Sequence, residues 1–465
     1  MRTRWLCSLA SGALMAASSF ALHAADDPTT DADIGDVVQG VATVQAANED
    51  FAEAVTGDME PSTGFISSIQ RIGYGDLPVF GGANSPEGLL IESDREKEPA
   101  FRFPAIYDSF DGWRGLKKSW NDEHGFQFTG HYSTLYQTTS DSLPDNEDTF
   151  SSGVLRGTAR WELLNRGGKN TGALIAMVDH RHAFTDIPPG TPAAANEFGY
   201  AGLTGTLYSD VEWRVVNLNW QQQLADGNAG LIIGRYDPND YMNILGTLNP
   251  WTLWSNISVM LDASQVFGDS SWGISGGSWF DDQWYFTAGL NDANGTVGDS
   301  MEFFQGGAEF FKWLELGWSP GKGNRYFKNI HFTGWHVDER EDVGYSSGHG
   351  LMFAANWMFN ENFMPYVRAG WSEGAEENKF YDRSVTAGFL YSYLHRSDTG
   401  GIAVNWGRLP EKYNPGAPDQ TTVEAFWRLQ FAQNFEVTPS LQYLLNPVNN
   451  PDDVLLFSLR LRLTF

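Results

Sequence analysis

Several constellations in this chain have residue types and spacings with which chemistry can be done. Gly273-Ile274-Ser275-Gly276-Gly277 satisfies the Gly-x-Ser-x-Gly form of a serine hydrolase. That nucleophile requires a strand turning sharply into a helix, whereas this run continues into Trp279 and Phe280 and reads as a glycine-rich strand. His180 and His182 would share one strand face and could hold a metal, but no third ligand is evident, and a polar interior or loop position is the expectation. Asp292, Asn294 and Thr296 have the spacing of a calcium loop without its glycine or terminal glutamate, and read as a hairpin turn. Arg156, Arg160 and Glu162 differ from these. They recur at even spacing opposite Leu155, Ala159, Trp161 and Leu163, so guanidinium and carboxylate groups line one face of a strand whose other face is apolar. No catalytic residue, metal site or cofactor follows from these patterns.

The elements that must carry such residues are strands with a polar and an apolar face. Val454 to Phe465 (VLLFSLRLRLTF) places Leu459, Leu461, Leu463 and Phe465 on one side and Ser458, Arg460, Arg462 and Thr464 on the other. The same two-residue period recurs in Leu351–Phe359, in Val385–Tyr393, and in Val423–Phe431, where Glu424, Arg428 and Gln430 oppose Val423, Trp427 and Phe431. Each run is about ten residues, the length with which a tilted strand crosses a bilayer. Between Phe126 and Phe465 roughly fourteen to sixteen such runs fit, which predicts an all-β outer-membrane barrel of about 16 antiparallel strands enclosing a channel. Ser140–Thr149, Asp186–Asn196 and Tyr236–Ser255 are polar connections, several of them able to fold inward and narrow the lumen.

Composition agrees. Phe, Trp and Tyr make up 14% of the chain alongside 50 glycines, a strand-and-turn composition with interfacial anchors. Mean hydropathy is −0.34 and no apolar stretch after the N-terminus reaches about eighteen residues, which excludes a helical membrane protein. Met1–Ala24 has a basic start, an apolar middle and a small residue at its end, and reads as a signal peptide cleaved near Ala24. Its removal takes Arg2 and Arg4 with it, so the formal charge of −28 becomes −30, a surface that excludes nucleic acid as partner. Cys7, the single cysteine, lies in that leader, so disulfides and thiolate metal ligands are excluded. Residues 25–100 form an acidic N-terminal extension. Within it, Asp36–Val55 fits a short helix or coiled-coil piece and equally a disordered spacer, and residues 61–100 read as an ordered loop or part of a plug. Residues 101–465 are the barrel with a short preceding helix, for which Trp113, Leu116 and Trp120 have the spacing and Gly125 the stop.

Four passages carry a family resemblance. Tyr107–Gly125 (YDSFDGWRGLKKSWNDEHG) followed by Phe126 resembles the barrel entrance of the carbohydrate-selective porins of the OprB type. Leu231–Asn243 (LIIGRYDPNDYMN) is similar to that family's Gly-Arg-x-Asp-Pro passage, Trp272–Asp292 to its following hairpin, and Thr438–Tyr443 with Asn446-Pro447 and the final LRLRLTF to its last two strands. The resemblance implies passive diffusion of sugars such as glucose across the outer membrane. It also implies a water-filled constriction of Arg, carboxylate and aromatic side chains, for which Arg156, Arg160, Glu162, Arg235, Glu424 and Arg428 are the substrate-binding candidates. Salt-bridge ladders on the barrel wall are the structural alternative for each, as they are for Arg460 and Arg462. Trp251, Trp254 and Trp279 suit a sugar-stacking surface, while most of the 18 tryptophans are assigned to the interfacial girdle. Carbohydrate solutes, outer-membrane lipid and lipopolysaccharide, and the barrel assembly machinery through Phe465 are the expected partners. A general or cation-selective porin, an outer-membrane enzyme and a polysaccharide export channel are the competing functions.

Overall fold

The computed structural model describes residues 81–465 except 96, 300–306, 361 and 393–396. The expected leader and the Asp36–Val55 segment lie outside the described residues. Sixteen strands close into one antiparallel barrel, each hydrogen-bonded to its sequence neighbours and the last to the first. They are β1 (Phe126–Thr139), β2 (Thr149–Leu164), β3 (Gly172–Ala183), β4 (Glu212–Leu224), β5 (Ala229–Tyr236), β6 (Ser271–Trp279), β7 (Trp284–Asp292) and β8 (Phe310–Trp318). The second half comprises β9 (Lys328–Val337), β10 (Gly348–Trp357), β11 (Phe363–Gly374), β12 (Arg383–Ser392), β13 (Thr399–Arg408), β14 (Gln420–Ala432), β15 (Phe435–Leu445) and β16 (Val454–Thr464). The seam between β1 and β16 runs from His131 opposite Thr464 to Thr139 opposite Leu456, leaving no free edge.

Alternation sets which way each side chain points. In β2, Arg156 is 1% exposed, whereas Trp161 and Leu163 on the opposite face are 43% and 45% exposed. Thr422, Glu424 and Phe426 of β14 and Ser458, Arg460 and Arg462 of β16 are likewise buried, while Leu351, Ile402, Leu455 and Leu463 are exposed. Apolar outside and polar inside is the inverse of a water-soluble barrel and requires lipid around it.

Successive antiparallel connections lie at alternate ends. At the end holding Phe126 and Phe465 they are short, as at 225–228 and 433–434. At the other end, 184–211 and 237–270 are long, and 237–270 turns inward and is almost wholly buried. A buried loop must find partners for its backbone. Glu424 accepts from the amides of Ser255 (2.7 Å) and Asn256 (2.9 Å), Tyr366 donates to the carbonyl of Val259 (2.8 Å), and Thr386 to that of Ser258 (3.0 Å). Arg460 donates to the carbonyls of Pro250 and Leu253, and Arg368 to that of Asn243. The inward wall residues thus do for the loop what water does elsewhere.

Among the described residues three helices precede β1: α1 (Pro86–Asp94), α2 (Pro104–Ser109) and α3 (Asp111–His124). Ser85 caps α1 by accepting from the amide of Gly88, with Pro86 at the first turn. Leu89 of α1 packs with Leu135, Val154, Met177 and Trp251, all lumen-side, so α1 sits inside the barrel. The chain then crosses the rim, where Ala100 and Phe101 donate to the carbonyls of Gln430 and Phe431. On the outer face, Trp113 and Trp120 of α3 lie 5.3 Å and 5.6 Å from Phe128 and Phe126 respectively. Gly125 ends α3 at φ 66°, a left-handed cap.

Candidate functional site

Where the 237–270 loop meets the wall strands β1 to β3, polar and aromatic groups converge. β2 and β3 present Arg156 opposite Asp179 in register. The guanidinium donates to both carboxylate oxygens, Nε to Oδ1 at 2.6 Å and Nη2 to Oδ2 at 2.8 Å. Arg181, two residues on and also lumen-side, donates to the same Asp179 through Nε at 2.9 Å and Nη2 at 2.8 Å. Two cations around one carboxylate leave a net positive charge and guanidinium donors facing the lumen. Trp251, carried in by the loop and fully buried, lies under the Arg156 guanidinium at 4.6 Å and edge-on to His131 at 4.6 Å. Asp240 of the same loop completes the group. Its carboxyl is raised well above the usual range by burial and by the neighbouring Asp237, and Asp237 is itself pushed up to about 6 by burial and the Asp269 carboxylate.

Donors, acceptors and an aromatic face at this spacing are what recognition of a neutral polyhydroxylated solute needs. Hydroxyls bridge guanidinium and carboxylate, and a pyranose face lies on an aromatic ring.

The six candidates named from the sequence occupy different places. Arg156 is in this group. Arg160 and Glu162 face the lumen on the same strand, nearer the short-turn end, and pair with each other. Glu424 holds the amides of the inserted loop. Arg428 donates to the carbonyl of Ser397 (2.7 Å) and the hydroxyl of Thr399 (3.3 Å), bracing the short-turn end. Arg235 is buried with Nε on the carbonyl of Val215 and Nη2 on that of Thr296, clamping β4 and the 293–309 connection. The structure therefore does not gather these six into one site. Asp179, Arg181, Asp240 and Asn84 join Arg156 instead. Asp179 and Arg181 were legible in the alternation of β3, whereas Asp240 and Asn84 lie in irregular segments with no period to read.

Trp251 and Trp254 belong to the inserted loop, and Trp254 packs edge-on against Phe426 at 4.7 Å inside the barrel; Trp279 is likewise buried, beside Tyr285. His180 and His182 point outward, against the expectation of a polar position, because alternation in β3 gives the lumen to Asp179 and Arg181. His180 lies edge-on to Trp213 and His182 stacks on Tyr132, whose hydroxyl lies 2.9 Å from His182 Nε2. Ser275 lies mid-strand in β6, which runs straight to Trp279 with no turn into a helix. Among the described residues, no three His, Cys, Asp or Glu side chains are grouped to hold a metal.

Fold and lumen together define a membrane barrel of porin type, sixteen-stranded and constricted by an inserted loop. Residues 340–465, which take in β10 to β16, match the carbohydrate-selective porin, OprB family. This is the family that the motif resemblance indicates; the Thr438–Tyr443 and LRLRLTF passages lie inside the matched region, and the other three passages lie before it. A high-pH structure of Pseudomonas putida OprB superposes with a TM-score of 0.61 at 14% identity, covering 76% of this chain and 97% of that one. A low-pH structure of the same protein gives a TM-score of 0.46 at 13% identity, with the same coverage. A mutant of the Rh. blastica porin also gives 0.46, at 14% identity, covering 73% of this chain and all of that one. No curated relative matches the sequence.

Proposed function

We propose that the protein is a passive, carbohydrate-selective diffusion channel of the outer membrane, with the Arg156–Asp179–Arg181 group and Trp251 as its selective element. The observation that carries this reading is the convergence of bidentate guanidinium donors, a shared carboxylate and an aromatic face at the point where the inserted loop narrows the lumen. Diffusion down a gradient needs no catalytic group. Arg160 and Glu162 extend the polar lining along β2, while Glu424, Arg428 and Arg235 act through the elements they hold. Selection of hydroxylated solutes follows from fixed donors and acceptors side by side, since a hydroxyl can engage both at once.

A cation-selective channel is the second reading, favoured by Asp237 and Asp269 of the inserted loop. The reversal potential under a salt gradient separates the two.

Solute entry into liposomes containing the purified protein tests the proposal. Glucose and disaccharides are compared with amino acids of matched size. Saturable sugar entry, faster than that of matched amino acids, is expected. Entry ordered by size alone would make the protein a general porin and overturn the carbohydrate reading.

A further inference from the structure

Residues 81–95 belong neither to the wall nor to the connections between strands, yet the first ten of them lie buried in the lumen. Every residue from 81 to 90 is buried. The segment makes no strand ladder; it is held by separate contacts. The amide of Gly82 donates to the carbonyl of Asp240 (3.0 Å), and Tyr326 donates to the carbonyl of Gly81. The Ser93 hydroxyl accepts from Thr129 (2.6 Å) and from Lys117 (3.0 Å). At the short-turn rim, Lys97 lies between Glu92 (2.7 Å) and Glu436 (3.1 Å), and Arg462 bridges the same two carboxylates at 2.8 Å and 3.3 Å.

Asn84 occupies the centre of the selective group. Its amide oxygen accepts from Trp251 Nε1 at 2.6 Å and faces Arg156 Nη1 at 3.4 Å, while its amide nitrogen donates to Asp240 Oδ1 at 2.6 Å. One small side chain that accepts and donates at once is what a sugar hydroxyl offers. Three residues on, Glu87 is 5% exposed, and burial raises its carboxyl above the usual range against the opposing pull of its backbone contact, Arg160, Ser85 and Gln221. Docking therefore takes an ionisable carboxyl out of water, which opposes the favourable contacts and lowers the cost of release.

We propose that residues 81–95, anchored at the rim by Lys97, are an intramolecular plug, with Asn84 holding the groups a solute hydroxyl would engage, and that undocking of the segment opens the channel. The role of Asn84 rests on the carbohydrate reading; obstruction by the segment does not. Elements attached by a few separate contacts open more readily than those in a continuous ladder, so the plug moves while the barrel stays closed.

The test uses the full chain in planar bilayers. Ser93→Cys with Thr129→Cys places two thiols where the hydroxyls are 2.6 Å apart, in a chain whose single native cysteine, Cys7, lies in the leader segment. The unmodified channel is expected to switch between a low and a high conductance level in potassium chloride. Oxidation of the pair should abolish the high level and a reductant should restore it. Lys97→Met, which removes the cation between Glu92 and Glu436, should raise the time spent at the high level several-fold. Identical conductance and switching in the oxidised and reduced forms would overturn the plug. Glucose block of the current should occur at several-fold lower concentration in Asn84→Ala. Absence of glucose block in every form, with redox-controlled switching intact, would defeat the carbohydrate reading and leave the plug standing.

Discussion

Arg156 shows how much one side chain can hold. Its fork engages both oxygens of Asp179 while its face covers Trp251, so geometry matters as well as charge. Lysine keeps the charge but loses the fork and the stacking. Arg156→Lys is therefore expected to leave the barrel folded and reduce saturable sugar entry into liposomes several-fold, with salt conductance nearly unchanged. Truncation to alanine differs, because Asp179 then keeps only Arg181; breaking a buried pair costs about 3 kcal/mol. A lower unfolding midpoint for Arg156→Ala than for Arg156→Lys would register that cost. Asp237 makes a pH-dependent prediction. Burial and Asp269 raise its carboxyl from 3.8 to about 6, so the ionised form is disfavoured in the folded protein. The resulting penalty is present above pH 6, shrinks as pH falls through 6, and is gone below the unfolded value near 4. Asp237→Asn, which keeps an oxygen for the amide of Asn239, is expected to raise the thermal midpoint at pH 8 and to match the parent at pH 4 in thermal unfolding followed by circular dichroism.

Among the elements, the 237–270 loop depends on wall side chains that its own sequence does not contain. Glu424 takes two of its amides and Arg460 two of its carbonyls, from strands about 170 and 210 residues further along the chain. Hydrogen bonds to charged groups contribute about 1.5–3 kcal/mol each, so removing one anchor should loosen the loop without opening the barrel. Glu424→Ala is expected to raise mean single-channel conductance and its noise. Unchanged conductance would mean that the loop keeps its place through the remaining contacts from Tyr366, Thr386 and Arg460.

At the scale of the whole molecule, the barrel stands or falls with its closing seam. β1 and β16 are the most distant strands in sequence and must find each other last or hold the rest open. Gly130 lies at that seam, and a Cβ there would meet the Phe465 ring at 2.5 Å, so a larger residue displaces the terminal aromatic from this position. Gly130→Val is expected to reduce the fraction of protein migrating as a compact, heat-modifiable species in detergent gels, more than the same change at Gly157, where a Cβ meets nothing within 4 Å.

Alternation by itself determined a great deal. The two-residue period of Leu155 to Leu163 and of Val454 to Phe465 separates lipid-facing from lumen-facing residues. The number of such runs gives a barrel of about sixteen strands, because a strand's side chains can point only two ways. It placed Arg156, Arg160 and Glu162 on the lumen side for the same reason. Tertiary structure alone decided what those residues meet. Asn84 and Trp251 reach Arg156, and Asp240 reaches Asn84, from segments outside the strands that have no such period, and the inward turn of 237–270 depends on carboxylate and guanidinium groups from β14 and β16. Arg235 and Arg428 became braces, and Trp254 an interior contact, by the same long-range pairing. A local pattern fixes the direction of a side chain, whereas its partner is set by closure of the whole ring.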